Sequence, residues 1–189
     1  MFSGQHAERK EGRAARTAAS LLIMVAAVVG ITFFLRTFVF SAYEIPSGSM
    51  EETIMTGDLV FTEKVSYYTG SPKQGDIVTF DDPLVSNRTL IKRVVATGGQ
   101  TVNLVDGKVV VDGVELDEPY TEGKRSDPFA KTAVSISYPY TVPEGCLWVM
   151  GDNRTNSQDS RYFGAIDAST VTGHAVFTYW PLNHIGTLS

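Results

Sequence analysis

The stretch Asn103-Leu-Val-Asp-Gly-Lys-Val-Val-Val111 decides the class of fold. Two short segments rich in aliphatic and β-branched residues flank Asp106-Gly107, a pair that strongly favours a two-residue hairpin turn. The same signal returns one strand later, at Asp112-Gly113. The sequence therefore predicts consecutive antiparallel strands in this part of the chain.

Outward from this hairpin, other short runs of Val, Ile, Thr, Phe and Tyr also indicate strands. The predicted strands are Leu59–Thr62, Asp76–Phe80, Thr89–Ala96, Leu147–Met150 and Gly173–Trp180. Residues 120–138, with their glycine, proline and polar side chains, predict an exposed excursion between strands. Outside the N-terminal region no helical periodicity lasts beyond about two turns. We therefore expect a mainly β, mostly antiparallel domain with coiled connections.

Residues 17–35 form an uncharged apolar run near the N-terminus. As a helix the run would be roughly 28 Å long, close to the hydrocarbon thickness of a bilayer. A cleavable signal peptide usually has a shorter apolar core that ends in a small-x-small site. Because this run is long and is followed by Arg36 and Phe38-Val39-Phe40, we predict a retained single transmembrane helix over residues 17–37, in contact with membrane lipid.

Basic residues precede the apolar run, at Arg9, Lys10, Arg13 and Arg16. Positive charge beside a membrane span favours the cytoplasmic side. We therefore predict a disordered cytoplasmic tail over residues 1–16. Residues 38–189 then form an extracytoplasmic domain on the outer face of the cytoplasmic membrane.

The net charge of −5 hides an asymmetry. Residues 1–36 carry five Lys/Arg and two Asp/Glu, whereas residues 37–189 carry eleven and nineteen. An acidic main domain argues against a nucleic-acid partner. The single cysteine, Cys146, excludes an intrachain disulfide. Three scattered histidines give no metal-ligand spacing, so we expect no metal and no other cofactor.

Two serines follow the predicted anchor closely, in Ile45-Pro46-Ser47-Gly48-Ser49-Met50. Pro46 fixes its own φ, and Gly48 lets the backbone turn between the serines. One interpretation makes Ser49 a nucleophile, with Ser47 beside it to bind a developing oxyanion. The other is a polar turn next to the membrane. The nucleophile requires a base elsewhere in the chain.

The predicted strand Thr89–Ala96 carries two cations, Lys92 and Arg93. Alternation places Leu90, Lys92, Val94 and Ala96 on one face and Ile91, Arg93 and Val95 on the other. Because both faces are largely apolar, one cation must lie in a nonpolar setting. A desolvated lysine can lose its proton and act as a general base, whereas arginine cannot. The alternative is an amine that reaches solvent from a strand edge.

A polar loop, residues 151–164, lies between the apolar segments Leu147–Met150 and Tyr162-Phe163. Its Asn, Asp and Ser side chains are typical of residues that close turns. Asp159 and Arg161 are spaced to form an ion pair. Ser157 can orient another side chain.

Four of these blocks together resemble the bacterial type I signal peptidases of the Ser/Lys kind. The blocks are Pro46–Met50 with Thr53, Gly75–Phe80, Lys92-Arg-Val-Val and the polar loop 151–164. The likeness covers nearly all of the chain after the anchor. Val111-Asp-Gly, Glu118-Pro-Tyr120 and Tyr179-Trp-Pro181 also resemble the family.

The resemblance implies a membrane-anchored serine endopeptidase that removes N-terminal signal peptides, with small residues at −1 and −3, from exported preproteins. It implies that Ser49 is the nucleophile and Lys92 the general base. Ser47 would serve the oxyanion hole. The supporting roles it implies are Ser157 orienting the lysine, Asp159 paired with Arg161, and Phe80 helping to desolvate Lys92.

The resemblance also implies a signal-peptidase-like catalytic domain with a small second β subdomain over about residues 99–146. The sequence departs from the family pattern in few places. The family usually has proline where this chain has Glu52, which affects the turn after the nucleophile. No departure falls on a catalytic hydroxyl or amine.

Three alternatives stand beside this interpretation. A self-cleaving Ser/Lys protease of the repressor type shares the β core, but the anchor and the lack of an N-terminal DNA-binding domain argue against it. An anchored β domain that binds envelope partners would give no reason for Ser49, Lys92 and Ser157 to occur together. A Ser-His-Asp triad would use His174 or His184, which we expect to be structural.

Overall fold

A computed structural model describes the backbone of residues 3–188 and the side chains of residues 16–188. The chain divides into two compact units, the first ending at Val39 and the second beginning at Phe40. The first unit contains helix α1, Ser3–Phe38. Its segment Arg16–Phe38 is long and apolar enough to cross a membrane.

Helix α1 corrects one expectation, since residues 3–16 continue the helix instead of forming a disordered tail. Ala, Glu, Arg and Lys dominate this segment, and all are good helix formers. The apolar helix that follows supplies the nucleus, so adding turns to it costs less than starting a new helix. Met1 and Phe2 lie outside the described residues.

The second unit is mainly β, as predicted. Its two α-helices within the described residues are single turns, α2 at Ser66–Thr69 and α3 at Ser160–Phe163. The strands are β1 Phe40–Glu44, β2 Leu59–Glu63, β3 Ile77–Asp81, β4 Thr89–Thr97, β5 Thr101–Val105, β6 Lys108–Val111, β7 Val114–Glu115, β8 Tyr140–Thr141, β9 Cys146–Met150, β10 Ile166–Asp167, β11 Val171–Trp180 and β12 Gly186–Thr187.

Within residues 40–188 these strands form two antiparallel sheets. The larger sheet has the order β1-β2-β11-β3-β4-β9-β10, and β12 pairs with β11. The smaller sheet has the order β7-β6-β5-β8 and lies within the range predicted for a second subdomain. The exact domain boundaries remain predictions.

The predicted hairpin is confirmed. Val105 pairs with Lys108 across Asp106-Gly107, and both turn residues have positive φ angles, +52° and +83°. Two positive φ angles are the geometry that favours Asp-Gly in a tight hairpin. The segment of residues 120–138 is mostly exposed and contains no strand in the described structure, as expected.

The strand that carries Lys92 departs from simple alternation. In the pairing of β4 with β9 the register shifts between Val94 and Ala96. Val95 and Ala96 therefore pack in the same core cluster, although the prediction placed them on opposite faces. An extra residue at a bulge inverts the side-chain alternation beyond it.

Candidate active site

Residues 46–49, which we call the nucleophile segment, lie between two buried apolar residues. Ile45 and Met50 are buried in one core cluster. The Ile45 amide donates to Asp58 O at 2.9 Å, and the Ile54 amide donates to Met50 O at 2.9 Å. Between them Gly48–Met50 form a single 3-10 turn. The segment is therefore fixed at both ends.

The two serines differ in exposure. Ser49 is buried, with 7% of its surface exposed, whereas Ser47 is exposed. Ser47 has an extended backbone and precedes the 3-10 turn, without a side-chain capping bond. Glu51 ends the turn with an extended backbone, and the peptide bond between Glu51 and Glu52 is cis.

Asn153 clamps the nucleophile segment from the polar loop. Its backbone amide donates to Ser49 O at 3.1 Å, and its Nδ2 donates to Gly48 O at 2.8 Å. Both bonds end on backbone carbonyl oxygens. Asn153 therefore makes no bond to the backbone N–H groups of the 3-10 turn. This role of Asn153 was not predicted, because nothing in the local sequence connects Asn153 to residues 48 and 49.

Lys92 lies beside Ser49. Its Nζ atom is 2.6 Å from Ser49 Oγ and donates to Ile91 O at 2.8 Å. The residue is 3% exposed. Val78 pairs directly opposite Lys92, and Phe80 pairs opposite Leu90, two residues along the same face. Both Val78 and Phe80 are fully buried, so apolar side chains surround the lysine stem.

Burial lowers the pKa of the Lys92 ammonium from its usual 10.5 to about 8. Desolvation is the largest cause, because a buried amine loses the water that stabilises its charged form. The carboxylates of Asp159, Asp152 and Asp82 oppose this shift, while Arg88 adds to it. The net result is an amine that holds a substantial neutral fraction at mildly alkaline pH.

Asp159 and Arg161 form a buried two-pronged ion pair. Arg161 Nε donates to Asp159 Oδ1 and Nη2 donates to Asp159 Oδ2, both at 2.9 Å. Asp159 Oδ2 also accepts from the Gly151 amide at 3.1 Å, and Arg161 Nη2 donates to Arg154 O at 2.7 Å. The pair therefore holds both ends of the segment 151–154.

Ser157 lies close to the nucleophile segment but is not bonded to Lys92. A methyl group placed on Gly151 would overlap both Ser157 Oγ and the Ser49 carbonyl oxygen. Ser157 Oγ and the Ser49 carbonyl therefore flank the same glycine. Among the described residues, Ser157 Oγ is buried without a hydrogen-bond partner.

A second buried ion pair was not foreseen as part of the site. Arg93 Nε and Nη2 donate to the two carboxylate oxygens of Asp152 at 2.9 and 2.7 Å. Thr53 Oγ1 donates to Asp152 Oδ2 at 2.5 Å. One cation of β4 was predicted to lie in a nonpolar setting, yet Lys92 and Arg93 are both buried. The sequence shows that both faces of this strand are apolar, but it does not show which anion pairs with Arg93.

The histidines take part in other contacts. His184 Nδ1 lies 2.8 Å from Asp58 Oδ1, and His174 Nδ1 lies 3.5 Å from Glu63 Oε1. Within residues 16–188 neither ring is hydrogen-bonded to Ser49. The described residues contain no group of three His, Cys, Asp or Glu that could hold a metal ion.

Two strand edges meet beside Ser49 and Lys92. β1 ends the larger sheet, and β9 pairs with β4 only from Arg93 onward. Residues 89–92 thus have one edge without a strand partner among the described residues. Residues 43–46 and 89–91 line a small cavity of about 40 Å³ together with Thr79. We call this region the β1–β4 gap.

Comparison with known proteins identifies the family. Residues 16–180 match the family described as signal peptidase, peptidase S26. Signal peptidase I of Leptolyngbya laminosa is 35% identical over 162 residues, which cover 82% of this chain and 75% of that protein. The probable signal peptidase I-1 of Synechocystis sp. is 38% identical over 174 residues, covering 88% and 84%.

A crystal structure of a signal peptidase I from Enterococcus faecalis V583 is 31% identical, with a TM-score of 0.46. The match covers 55% of this chain and 95% of that chain. The family match extends over most of the present sequence, from the apolar helix to the end of β11. The chain therefore belongs to the peptidase S26 family of signal peptidases, which are serine hydrolases.

Proposed function

We propose that this chain is a membrane-anchored endopeptidase that removes signal peptides from exported preproteins, with Ser49 as nucleophile and Lys92 as general base. The contact between the buried Lys92 amine and Ser49 Oγ, at 2.6 Å, carries this proposal. It lies within hydrogen-bond reach, which a nucleophile and its base require. Family membership supports the reaction class.

In the first step, neutral Lys92 takes the Ser49 hydroxyl proton while Oγ attacks the carbonyl carbon of the scissile bond. The carbonyl becomes an oxyanion, which the Ser49 amide and the Ser47 hydroxyl stabilise. Lys92 then gives the proton to the leaving amine, and the C–N bond breaks. The mature protein departs with a free amino terminus, and the signal peptide remains as an ester on Ser49.

In the second step, Lys92 takes a proton from water, which attacks the ester carbonyl. The same donors stabilise the second oxyanion. Collapse of this intermediate breaks the bond to Ser49 Oγ, which regains its proton from Lys92. The nucleophile and base thus return to their starting state without any cofactor.

Further residues support the dyad without touching the reacting atoms. Ser157 orients the Lys92 amine in the substrate complex, which its buried and unpartnered hydroxyl would allow. Asp159 and Arg161 fix the loop on which Ser157 lies. Phe80, with Val78, keeps water from the lysine stem.

The signal peptide binds as an extended strand in the β1–β4 gap. The free edge of residues 89–92 offers backbone hydrogen bonds to such a strand, and alternate side chains then point into the enzyme. The cavity in the gap is small, about 40 Å³. It therefore favours the small side chains at −1 and −3.

The helix α1 serves as the single-pass anchor, with the N-terminus in the cytoplasm and the β domain outside. The apolar segment Arg16–Phe38 and the basic residues before it support this arrangement. External protease added to intact spheroplasts should degrade the β domain. Protection until the membrane is broken would contradict the orientation.

The proposal is tested with the full-length protein in detergent, a preprotein substrate, and mass spectrometry of the products. We expect one cut, after a small residue, that releases the signal peptide. The Ser49→Ala variant should give no product while it keeps the wild-type melting temperature. Efficient cleavage after leucine or phenylalanine, or cleavage by Ser49→Ala, would contradict the proposal.

A further inference from the structure

Ser157 lines a second cavity. Its volume is about 440 Å³, and its lining is predominantly apolar. The lining residues are Phe129, Ala130, Lys131, Ser157, Gln158 and Tyr162. None of them lines the β1–β4 gap. We call it the Ser157 cavity.

Ser157 connects the Ser157 cavity to the nucleophile segment. Ser157 is 8% exposed, and its Oγ has no hydrogen-bond partner among residues 16–188. The same Oγ and the Ser49 carbonyl oxygen both lie where a Cβ atom on Gly151 would be. One residue thus lines the cavity and adjoins the nucleophile.

The walls of this cavity are fixed by the ion pair that supports the site. The Arg161 guanidinium lies over the Phe129 ring at 4.6 Å, and Arg161 is the partner of Asp159. On the other wall, the Ala133 amide donates to Tyr162 O at 2.9 Å. These contacts attach the excursion of residues 127–133 to the polar loop, so the cavity is preformed.

We propose that the Ser157 cavity binds the first residues of the mature protein, directly after the scissile bond. This inference rests on the proposed function. An extended substrate that fills the β1–β4 gap up to Ser49 must leave the site on another side, since the chain continues past the cut. The Ser157 cavity is a concave surface that Ser157 connects to the segment of Ser49.

The chemistry of the lining defines the preferred ligand. Phe129, Ala130 and Tyr162 present apolar surface to one side chain. Lys131 also lines the cavity and is exposed, and it has no ion-pair or hydrogen-bond partner in the described part of the chain. The preferred substrate therefore has an apolar residue next to an acidic one within the first few residues of the mature protein. The apolar residue complements the apolar lining, and the acidic residue complements Lys131.

The cavity is tested with two substrates that share a signal peptide. The long substrate continues for six residues after the cut, with Leu and Glu among the first three. The short substrate ends at the cut, where an aminocoumarin amide replaces the mature residues. Ala130 is exposed, so Ala130→Trp can fill the cavity without disturbing the core. We expect kcat/KM to fall about tenfold for the long substrate, in line with a lost apolar contact, and to be unchanged for the short one.

An equal effect of Ala130→Trp on both substrates, or no effect on either, would overturn the inference. Failure of the wild type to cleave both substrates would instead contradict the proposed function on which it rests. The two failures are therefore distinguishable.

Charge reversal gives an independent readout. Wild type should cleave a long substrate with Glu about two- to fivefold better than one with Lys at the same position. Lys131→Glu should reverse that preference. Lys73→Glu, at an exposed lysine outside both cavities, should keep it. An unchanged preference in Lys131→Glu would overturn the acidic part of the proposal.

Discussion

The carboxylate of Asp152 binds the guanidinium of Arg93 with two hydrogen bonds, across 59 residues of sequence. Arg93 follows the proposed base on β4, and Asp152 precedes Asn153, which clamps the nucleophile segment. One buried ion pair, 2.7 Å at its shortest, therefore joins the strand of Lys92 to the loop that holds Ser49.

Replacing Asp152 with Ala should destabilise the domain strongly. It would leave Arg93 buried without its anion, which typically costs about 3–5 kcal/mol. Thr53→Ala is the matched control, because it removes only one charge-assisted hydrogen bond to Asp152, worth about 1.5 kcal/mol. Thermal denaturation of the detergent-solubilised variants measures both effects. Equal losses in the two variants would show that the Arg93 pair contributes nothing of its own.

Gly151→Ala should inactivate the protein. The new methyl group would collide with the Ser49 carbonyl and with Ser157 Oγ, so the nucleophile segment must shift. A misplacement of about 1 Å can cost roughly a hundredfold in rate, and we expect at least that loss in kcat. Gly186→Ala is the control, since its nearest neighbour would be 4.0 Å away. Wild-type turnover in Gly151→Ala would contradict the described geometry.

Ser47→Ala should retain partial activity. Loss of one oxyanion donor raises the barrier by about 2.7–4 kcal/mol, or roughly a hundred- to a thousandfold in kcat. Because Ser47 is exposed, the variant should keep its melting temperature. Single-turnover kinetics of Ser47→Ala and Ser49→Ala, measured side by side, separate the roles of the two serines. Complete and equal loss in both variants would mean that they are misassigned.

The protein should gain stability when Lys92 is replaced by Met. Because burial lowers the pKa of Lys92 to about 8, the unfolded chain binds more protons than the folded one between pH 8 and 10.5. The free energy of unfolding therefore rises with pH through that window. Below pH 8 the folded protein carries a buried ammonium, at a cost of about 3 kcal/mol.

Lys92→Met removes that cost, so its Tm should exceed that of wild type at pH 7 by several degrees. The difference should shrink as the pH approaches 10.5. Lys73→Met, at an exposed lysine, should show neither effect. A lower Tm for Lys92→Met at pH 7 would mean that the lysine is not destabilised by burial.

The features that the sequence predicted well are those with local signals. The Asp106-Gly107 turn has two positive φ angles, which this residue pair favours. A long apolar helix over residues 17–35 follows from the length and composition of that run alone. The strands followed from short β-rich runs between turn pairs. The disordered tail was wrong because helix propagation from a neighbouring segment does not depend on local hydrophobicity.

The site depended on contacts that no local pattern contains. Ser49 and Lys92 were singled out by residue type and family resemblance, yet their distance is set by pairing across 43 residues. The Asn153 clamp, the Arg93–Asp152 pair and the register shift at Val95 arise from tertiary packing. The β1–β4 gap likewise exists because β9 pairs with only part of β4.

The identity of the base is tested most directly by the pH dependence of kcat/KM, measured for wild type, Lys92→Arg and His184→Ala. Wild type should show an activity limb that rises with an apparent pKa of about 8, because only the neutral amine can accept the Ser49 proton. His184→Ala should keep this limb, and Lys92→Arg should be inactive, since guanidinium stays protonated. A limb that survives in Lys92→Arg and is lost with His184 would contradict the Ser49–Lys92 mechanism.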